Sequence, residues 1–570
     1  MRSQAYLGSC YAASCLQRCP VILSDEASEG PIVATAAPVI LSDEVAKDLS
    51  VFSLTFTAHG PLPQTFPSST DVLQAFLTGE FATIAVITLY GLGALLITLY
   101  SIGQFHLLYL YLKNHKNKAL YPKLPLVERD KLPYVTVQLP MFNERYVASE
   151  VIDACAKLDY PRDRFEIQVL DDSTDDTLAI IEERAAYWSA QGVDVQVIHR
   201  ENRQGFKAGA LRDGTPFAKG SLLAIFDADF RPHPDFLLRT VPYFEVPDVG
   251  VVQGRWGHLN RDYSLLTRGQ TLLHDAFFMI EQQARALSGF FLRFNGSAGI
   301  WRKETITDAG DWSADTLSED LDLCLRAQLK GWRIVYDNDV EAPAEIPVTM
   351  LDLKIQQYRW TKGRGQVIRK LLPTLFRAKL PGMVKFHAIF DLLNVFIIPG
   401  IFLLAVTSVW FNYLIYTDPS LSRVMMWFSF ALINVSLAPW FAWLVMRAYG
   451  QNRFKETVRE FAGTFPAFMV IVIGIPFFQL VALIDGFLNR KSFFHRTSKY
   501  NIVNKSDSWR TKVYTPKDIP LLTWFEGALA LYFLMGIGMD LAFGMPGFLP
   551  FHILLFAGYG SVFTLSFLRS

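Results

Sequence analysis

The sequence predicts an α/β domain with a mainly parallel sheet, inserted into an α-helical bundle that spans a membrane. Three observations carry this. Of the 570 residues, 51% are apolar and only 19% charged, too apolar for an ordinary soluble enzyme and too charged for a bundle alone. Long uncharged stretches flank a central region on both sides. Within that region short apolar runs alternate with helical patterns, and two of the runs end in acidic residues. Lys+Arg and Asp+Glu both number 54, so no basic excess points to a nucleic-acid partner.

Residues 1–75 read as a disordered N-terminal tail. "PVILSDE" occurs at 20–26 and again at 38–44, and no helical or strand period is sustained. Three of the five cysteines (Cys10, Cys15, Cys19) fall here without histidines at zinc spacing; Cys155 and Cys324 are isolated and read as small buried hydrophobes. The first span is expected over 76–112, because 81–112 contains no Asp, Glu, Lys or Arg. The basic "KNHKNKALYPK" that follows favours the cytosolic side for the next domain.

That domain is expected over 133–345. "YVTVQLP" (134–140), "FEIQVLDDS" (165–173), "VDVQVIHR" (193–200) and "SLLAIFDADF" (221–230) read as strands, with helices such as 175–191 between them. Residues 346–385 read as interfacial helices. Two spans follow within 386–448 (388–416 and 424–446), and two more within 520–568 (521–543 and 549–567). Between these pairs, 460–517 is expected to hold an interfacial or re-entrant pair of short helices and a loop. Pro466, Gly474 and Pro476 interrupt the apolar run 462–487, and 489–517 carries eight Lys or Arg against one Asp, which opposes placing it outside. Five spans result, with six as the alternative.

The chemistry is expected at the strand ends, where parallel sheets bind ligands. Asp171-Asp172 closes one strand and Asp227-Ala228-Asp229 another. In an extended strand residues two apart face the same way, so Asp227 and Asp229 can converge on one cation; an acidic loop is the ordinary alternative. Neither a phosphate-binding P-loop nor a G-x-G-x-x-G follows a strand, so phosphate would be held by a metal and by cationic side chains.

A set of motifs then occurs in order: "QLPMFNE" (138–144), "VLDDSTDDT" (169–177), "QGFKAGAL" (204–211), "FDADF" (226–230), "FNGSAGIWR" (294–302), "SED" (318–320) and "QQYRW" (356–360). As a set it resembles the processive family-2 inverting glycosyltransferases, most of all the plant cellulose-synthase-like A and C groups (mannan and glucan synthases), and also bacterial cellulose and hyaluronan synthases. The resemblance covers about 130–510 and implies a GT-A nucleotide-sugar transferase domain packed on a transmembrane bundle.

It also implies roles. Asp229, with Asp227 beside it, would anchor Mg²⁺ or Mn²⁺, hard cations suited to oxygen ligands. Asp172 and Lys207 would bind the nucleotide sugar; their ordinary alternatives are a solvated turn and a surface lysine. Asp320 would be the base that deprotonates the acceptor hydroxyl. Thr316 and Glu319 fit a capping box, so a helix is expected from about 317 with Asp320 in its first turn; that acids favour any helix N-terminus is the alternative. The family often has Thr where this chain has Ser318. Gln356, Arg359 and Trp360 share one helical face, with Gln356 and Arg359 assigned to the nucleotide sugar and Trp360, Phe294 and Asn295 to the acceptor. Gly363 and Gly365 are expected to loosen the chain after this helix. "FFHRTSK" (493–499) resembles the family's gating loop, with Arg496 where the family has Val; Thr497 and Lys499 would reach the diphosphate, against the alternative of a basic loop on anionic lipid.

The function implied is a multi-pass membrane hexosyltransferase of a plasma or Golgi-type membrane, with its catalytic domain cytosolic. It would polymerise UDP-glucose, favoured slightly over GDP-mannose, onto a growing β-linked glycan and translocate the product. Membrane lipid is a further partner, and an oligomer is compatible with the sequence. Transfer of one sugar to a lipid is the competing activity; a degenerate receptor or scaffold on the same fold is the competing class.

Overall fold

The computed structural model describes residues 80–115, 128, 131–424, 436–450, 453–490, 496–512 and 519–567. The tail expected over 1–75 lies outside the described residues.

Helix α1 (Glu80–Asn114) leads to a seven-stranded sheet. Its elements are β1 (Val135–Met141), α2 (Ala148–Ala156), β2 (Phe165–Asp171), α3 (Thr177–Ala190), β3 (Val195–His199), α4 (Phe206–Gly214) and β4 (Leu222–Ile225). Then come β5 (Val249–His258), α5 (Leu265–Asp275), β6 (Gly299–Arg302), α6 (Glu319–Leu329), β7 (Arg333–Ala344) and the long α7 (Met350–Arg377). The order is β3-β2-β1-β4-β6-β5-β7, and only β6 runs antiparallel to its neighbours. The sheet is thus mainly parallel, as expected. Val135, Val137 and Leu139 of β1 and Ile167 and Val169 of β2 are wholly buried, as continuous apolar strands covered on both faces must be. Their opposite-facing polar residues pair across the strands: Thr136 Oγ1 donates to Glu166 at 2.7 Å, and Gln138 to Gln168 at 3.1 Å.

The later helices are α8 (Ile397–Thr417), α9 (Leu437–Tyr449), α10 (Phe454–Gly474), α11 (Pro476–Phe487), α12 (Leu521–Ala542) and α13 (Leu549–Phe567). Among the described residues five helices are long and apolar enough to cross a membrane: Glu80–Asn114, Gly382–Thr417, Phe454–Gly474, Leu521–Ala542 and Leu549–Phe567. The span expected over 424–446 falls partly outside the described residues. Two helices do cover 462–487, with their break before Pro476, but the first is longer than expected and is not interrupted at Pro466. Helix α10 runs 21 residues straight through Pro466, and the chain breaks only at Ile475 before Pro476. A proline removes one backbone donor and crowds the preceding turn, which α10 tolerates because neighbours hold it: Phe468 and Ile471 are buried, and Gly474 lies against Gly558.

The glycines after "QQYRW" do not loosen the chain; α7 is continuous to Arg377. A Cβ at Gly363 would stand 2.2 Å from Ser318 Oγ and 2.8 Å from Ser318 N. Gly363 therefore lets the segment before α6 lie directly on α7, which sets Asp320 against the helix that carries Arg359.

Candidate active site

A cavity of about 520 Å³ opens at the carboxyl ends of β1, β2 and β4, with walls from α4, α6 and α7. Asp172, just past β2, lines it and is 5% exposed. Arg200 grips Asp172 with two hydrogen bonds, Nε to Oδ1 at 2.7 Å and Nη2 to Oδ2 at 2.6 Å, and reaches Asp213 with Nη1 at 2.8 Å. Arg200 was not among the sequence candidates. The parallel register supplies the signal: Asp171 lies opposite His199, so the next residue on each strand, Asp172 and Arg200, comes level. Arg203 adds its guanidinium to the face of Phe142, 3.3 Å from the ring centre.

The strand that delivers Asp227 and Asp229 ends earlier than expected. β4 stops at Ile225 and the two acids sit in a turn, closed by the Phe230 amide donating to the Asp227 carbonyl at 3.0 Å. Ser297 Oγ accepts from the Asp227 amide at 2.9 Å, which takes that amide out of the sheet. Both carboxylates still line the cavity, but each meets a different ammonium. Lys207, in the first turn of α4, donates to Asp227 Oδ1 at 2.5 Å and to the Gly296 carbonyl at 2.9 Å; its side chain is 22% exposed, so it is not a free surface lysine. Lys499 donates to Asp229 and, at 3.2 Å, to the Glu345 carbonyl. Burial pushes the Asp229 carboxyl up and Asp227 adds to this, against Lys499.

Lys499 is held by its surroundings. The Glu345 carboxylate accepts from the amides of Tyr500 at 3.0 Å and Asn501 at 2.7 Å, and Asp352 accepts from the Ser498 amide at 3.1 Å. Arg496 stands 2.5 Å from Glu144. Thr497 is buried in the cavity wall, and its hydroxyl has no hydrogen-bond partner among the described residues. Residues 493–495 of the loop motif lie outside the described residues.

Asp320 lines the same cavity. The expected capping box is not formed. Helix α6 begins at Glu319 with Ser318 as N-cap, because the Leu317 amide donates to Gln366 of α7 at 2.8 Å and the Asp322 amide to the Ser318 carbonyl. Asp320 Oδ1 accepts from the Leu321 amide at 2.8 Å. Gly296 (φ +80°) passes beside it: a Cβ there would stand 3.1 Å from Asp320 Oδ2 and 3.5 Å from Lys207 Nζ, so the glycine keeps that space open. Burial raises the Asp320 carboxyl against the pull of Lys207, and burial plus Asp320 raises Glu319. Neither acid has an ion pair among the described residues.

Helix α7 brings Gln356, Arg359 and Trp360 to the same cavity. Burial lowers the Arg359 guanidinium, opposed first by Glu319 and then by Asp227; an arginine remains charged even so. Gln356 Oε1 and Asn295 Nδ2 are buried without hydrogen-bond partners among the described residues. Trp360 lies 6.3 Å from Trp256, centre to centre. Phe294, expected on the acceptor side, lines the cavity, but it is 1% exposed and its ring sits edge-on to Trp301 in the core beneath α6. The glycine at 299 admits its ring, and Trp256 offers the second indole of the cavity.

Residues 133–363 match the family model for glycosyltransferase-like family 2. Glucomannan 4-beta-mannosyltransferase 1 of Oryza sativa subsp. japonica is 41% identical over 273 residues, 47% of this chain and 52% of that protein. Glucomannan 4-beta-mannosyltransferase 2 of Arabidopsis thaliana is 43% identical over 252 residues, 43% of this chain and 47% of that protein. The chain thus spans about half the length of the curated relatives it matches. Among solved structures, the mannosyltransferase PcManGT from Pyrobaculum calidifontis, in complex with GDP-Man and Mn²⁺, aligns with a TM-score of 0.47 at 18% identity, over 70% of this chain and 100% of that one. Residues 133–363 are thus similar to glycosyltransferase-like family 2.

Proposed function

We propose that the protein is a membrane-embedded inverting hexosyltransferase that extends a β-linked polysaccharide from a nucleotide-activated sugar. Mannose, carried as GDP-mannose, is the donor we favour. The lean toward UDP-glucose is given up, because the relatives that match at 41–43% identity bear mannosyltransferase names. The observation that carries the reading is one cavity that brings charge-paired Asp172, Asp227 and Asp229 together with Glu319 and Asp320, which have no ion pair among the described residues, and with the indoles of Trp256 and Trp360.

The donor set fits a divalent cation. No group of three His, Cys, Asp or Glu is poised for a metal among the described residues, but Mg²⁺ and Mn²⁺ are commonly held by one or two carboxylates together with substrate phosphates and water. Asp227 and Asp229 supply two carboxylates from one turn. Such an ion, when bound, offsets charge on the diphosphate leaving group. The chain's own residues do the rest. Arg200 fixes Asp172 for the nucleotide. Lys207, Lys499 and Arg359 bring positive charge to the diphosphate, and Lys207 and Lys499 exchange their carboxylate partners for it. Asp320 takes the proton of the acceptor hydroxyl on the side opposite the leaving group, which inverts the anomeric carbon. Its burial keeps that carboxylate basic and the transfer dry.

We place the catalytic domain in the cytosol. The contact of Lys499 with Asp229 supports putting the basic loop on the same side as the domain. Product export is supported by the reach of the cavity to Arg364 and to Asn394, inside the Gly382–Thr417 span. Purified protein in vesicles, given GDP-mannose or UDP-glucose with Mn²⁺ or excess chelator, tests the reading. Long β-linked glycan from GDP-mannose, abolished by chelator, is expected. A single sugar on lipid would replace polymerisation by glycolipid synthesis; no turnover of any sugar nucleotide would overturn the proposal.

A further inference from the structure

The last turn of helix α5 carries a histidine that none of the motifs contains. His274 lines the cavity and is 7% exposed. Its ring lies 5.7 Å from Trp360 and 6.1 Å from Trp256, the latter at 83°. Neither ring nitrogen has a hydrogen-bond partner among the described residues. The adjacent His258, 5.7 Å away, is differently placed: its Nε2 lies 3.0 Å from Asp275 Oδ1, and Tyr449 donates to the other oxygen of Asp275 at 2.6 Å. So the fold provides a partner for one histidine of the pair and leaves its neighbour without one.

Buried polar groups are almost always paired, and one left unpaired costs free energy. A cavity-lining exception points to a partner that arrives with the ligand. Burial, and then His258, pull the His274 imidazole down to about 3, so the ring is neutral and carries one donor and one acceptor. A phosphate would use only the donor. A metal ion would need further ligands, and no cluster is present among the described residues. An acyl chain would use neither nitrogen. A sugar hydroxyl both donates and accepts, and the apolar face of a sugar ring packs on indoles such as those of Trp256 and Trp360.

We infer that His274 hydrogen-bonds a hydroxyl of the acceptor glycan at a subsite flanked by Trp256 and Trp360, and so helps to determine which acceptor is extended. This rests on the glycosyltransferase reading above. The test titrates mannotetraose into detergent-purified wild type, His274→Leu and His274→Gln, following tryptophan fluorescence, with GDP titrated in parallel. Loss of one hydrogen bond predicts tetraose binding weakened about tenfold in His274→Leu, with GDP affinity within about twofold of wild type. His274→Gln, which keeps a donor and an acceptor, should recover to within about threefold. Tetraose affinity unchanged in His274→Leu, with GDP bound and donor turned over normally, overturns the inference and leaves the proposed function standing. Equal loss of tetraose and GDP in both variants overturns it in favour of a packing role. A wild type that binds neither ligand overturns both.

Discussion

The two walls of the cavity hold similar numbers of acids in opposite states. On one wall each carboxylate meets a cation: Asp172 with Arg200, Asp227 with Lys207, Asp229 with Lys499. On the other, Glu319 and Asp320 are half-buried without an ion pair among the described residues, and both are raised. Paired charges of both signs suit a ligand that brings charges of its own, such as a diphosphate with its cation, because each partner can be exchanged for another of the same sign. Unpaired, raised carboxyls suit a proton transfer, where an acid of ordinary strength would be too weak a base. Under the proposed function this contrast separates donor from acceptor.

The largest break in this comparison is Asp229→Ala. It should lower turnover at least about 100-fold and remove the dependence on divalent cation; turnover that still responds to Mn²⁺ would put the cation elsewhere. Next is Arg200→Ala. It leaves Asp172, whose side chain is 3% exposed, without its bidentate partner, which costs about 3–5 kcal/mol for a buried pair. A lower Tm and GDP affinity reduced about ten- to hundredfold are expected; unchanged GDP affinity would make the pair purely structural.

The unpaired wall is sharpened by pH. Because desolvation holds the Glu319 and Asp320 carboxyls above their ordinary values, the acid limb of kcat should lie above the ordinary aspartate range, with transfer lost as pH falls through the raised values. Stability runs the other way. A raised acid binds a proton in the folded state that the unfolded chain has already released, so these two residues make the fold less stable as pH rises through the same window. An acid limb at ordinary carboxylate values would show that neither acid is the base. The smallest effect is expected from Glu345→Gln, which keeps the shape but weakens the acceptors for the Tyr500 and Asn501 amides that hold Lys499 in place. Donor KM should rise about two- to fivefold; no change would mean that the loop is held without Glu345.

Much of the paired wall was legible because its acids terminate apolar strands, and strand ends are readable from a change of composition. Arg200 was missed because it read only as the last residue of the strand "VDVQVIHR"; only the register of β2 against β3 brings it level with Asp172. The turn at Asp227 was missed because Ser297, seventy residues away, captures the Asp227 amide. The unpaired wall was harder. The capping box at Thr316 is locally sound, but Gln366 takes the Leu317 amide first and α6 starts later. Gly363 read as a weak point of its helix, whereas its use is to admit Ser318. His274 belongs to no pattern of spacing; its meaning lies in the partners it lacks. Local chemistry was readable, and pairing across the fold was not.

The central claim is that binding of the donor and activation of the acceptor reside on different walls. Calorimetry of GDP-mannose with Mn²⁺, run beside an assay of sugar transfer on Asp320→Asn and Asp229→Ala, tests it most directly. Asp320→Asn should bind donor within about threefold of wild type while transfer falls by about 10²–10⁴, and Asp229→Ala should fail to bind. Donor affinity reduced a hundredfold in Asp320→Asn, on the order of 2.7 kcal/mol, or transfer retained by that variant, would contradict the division.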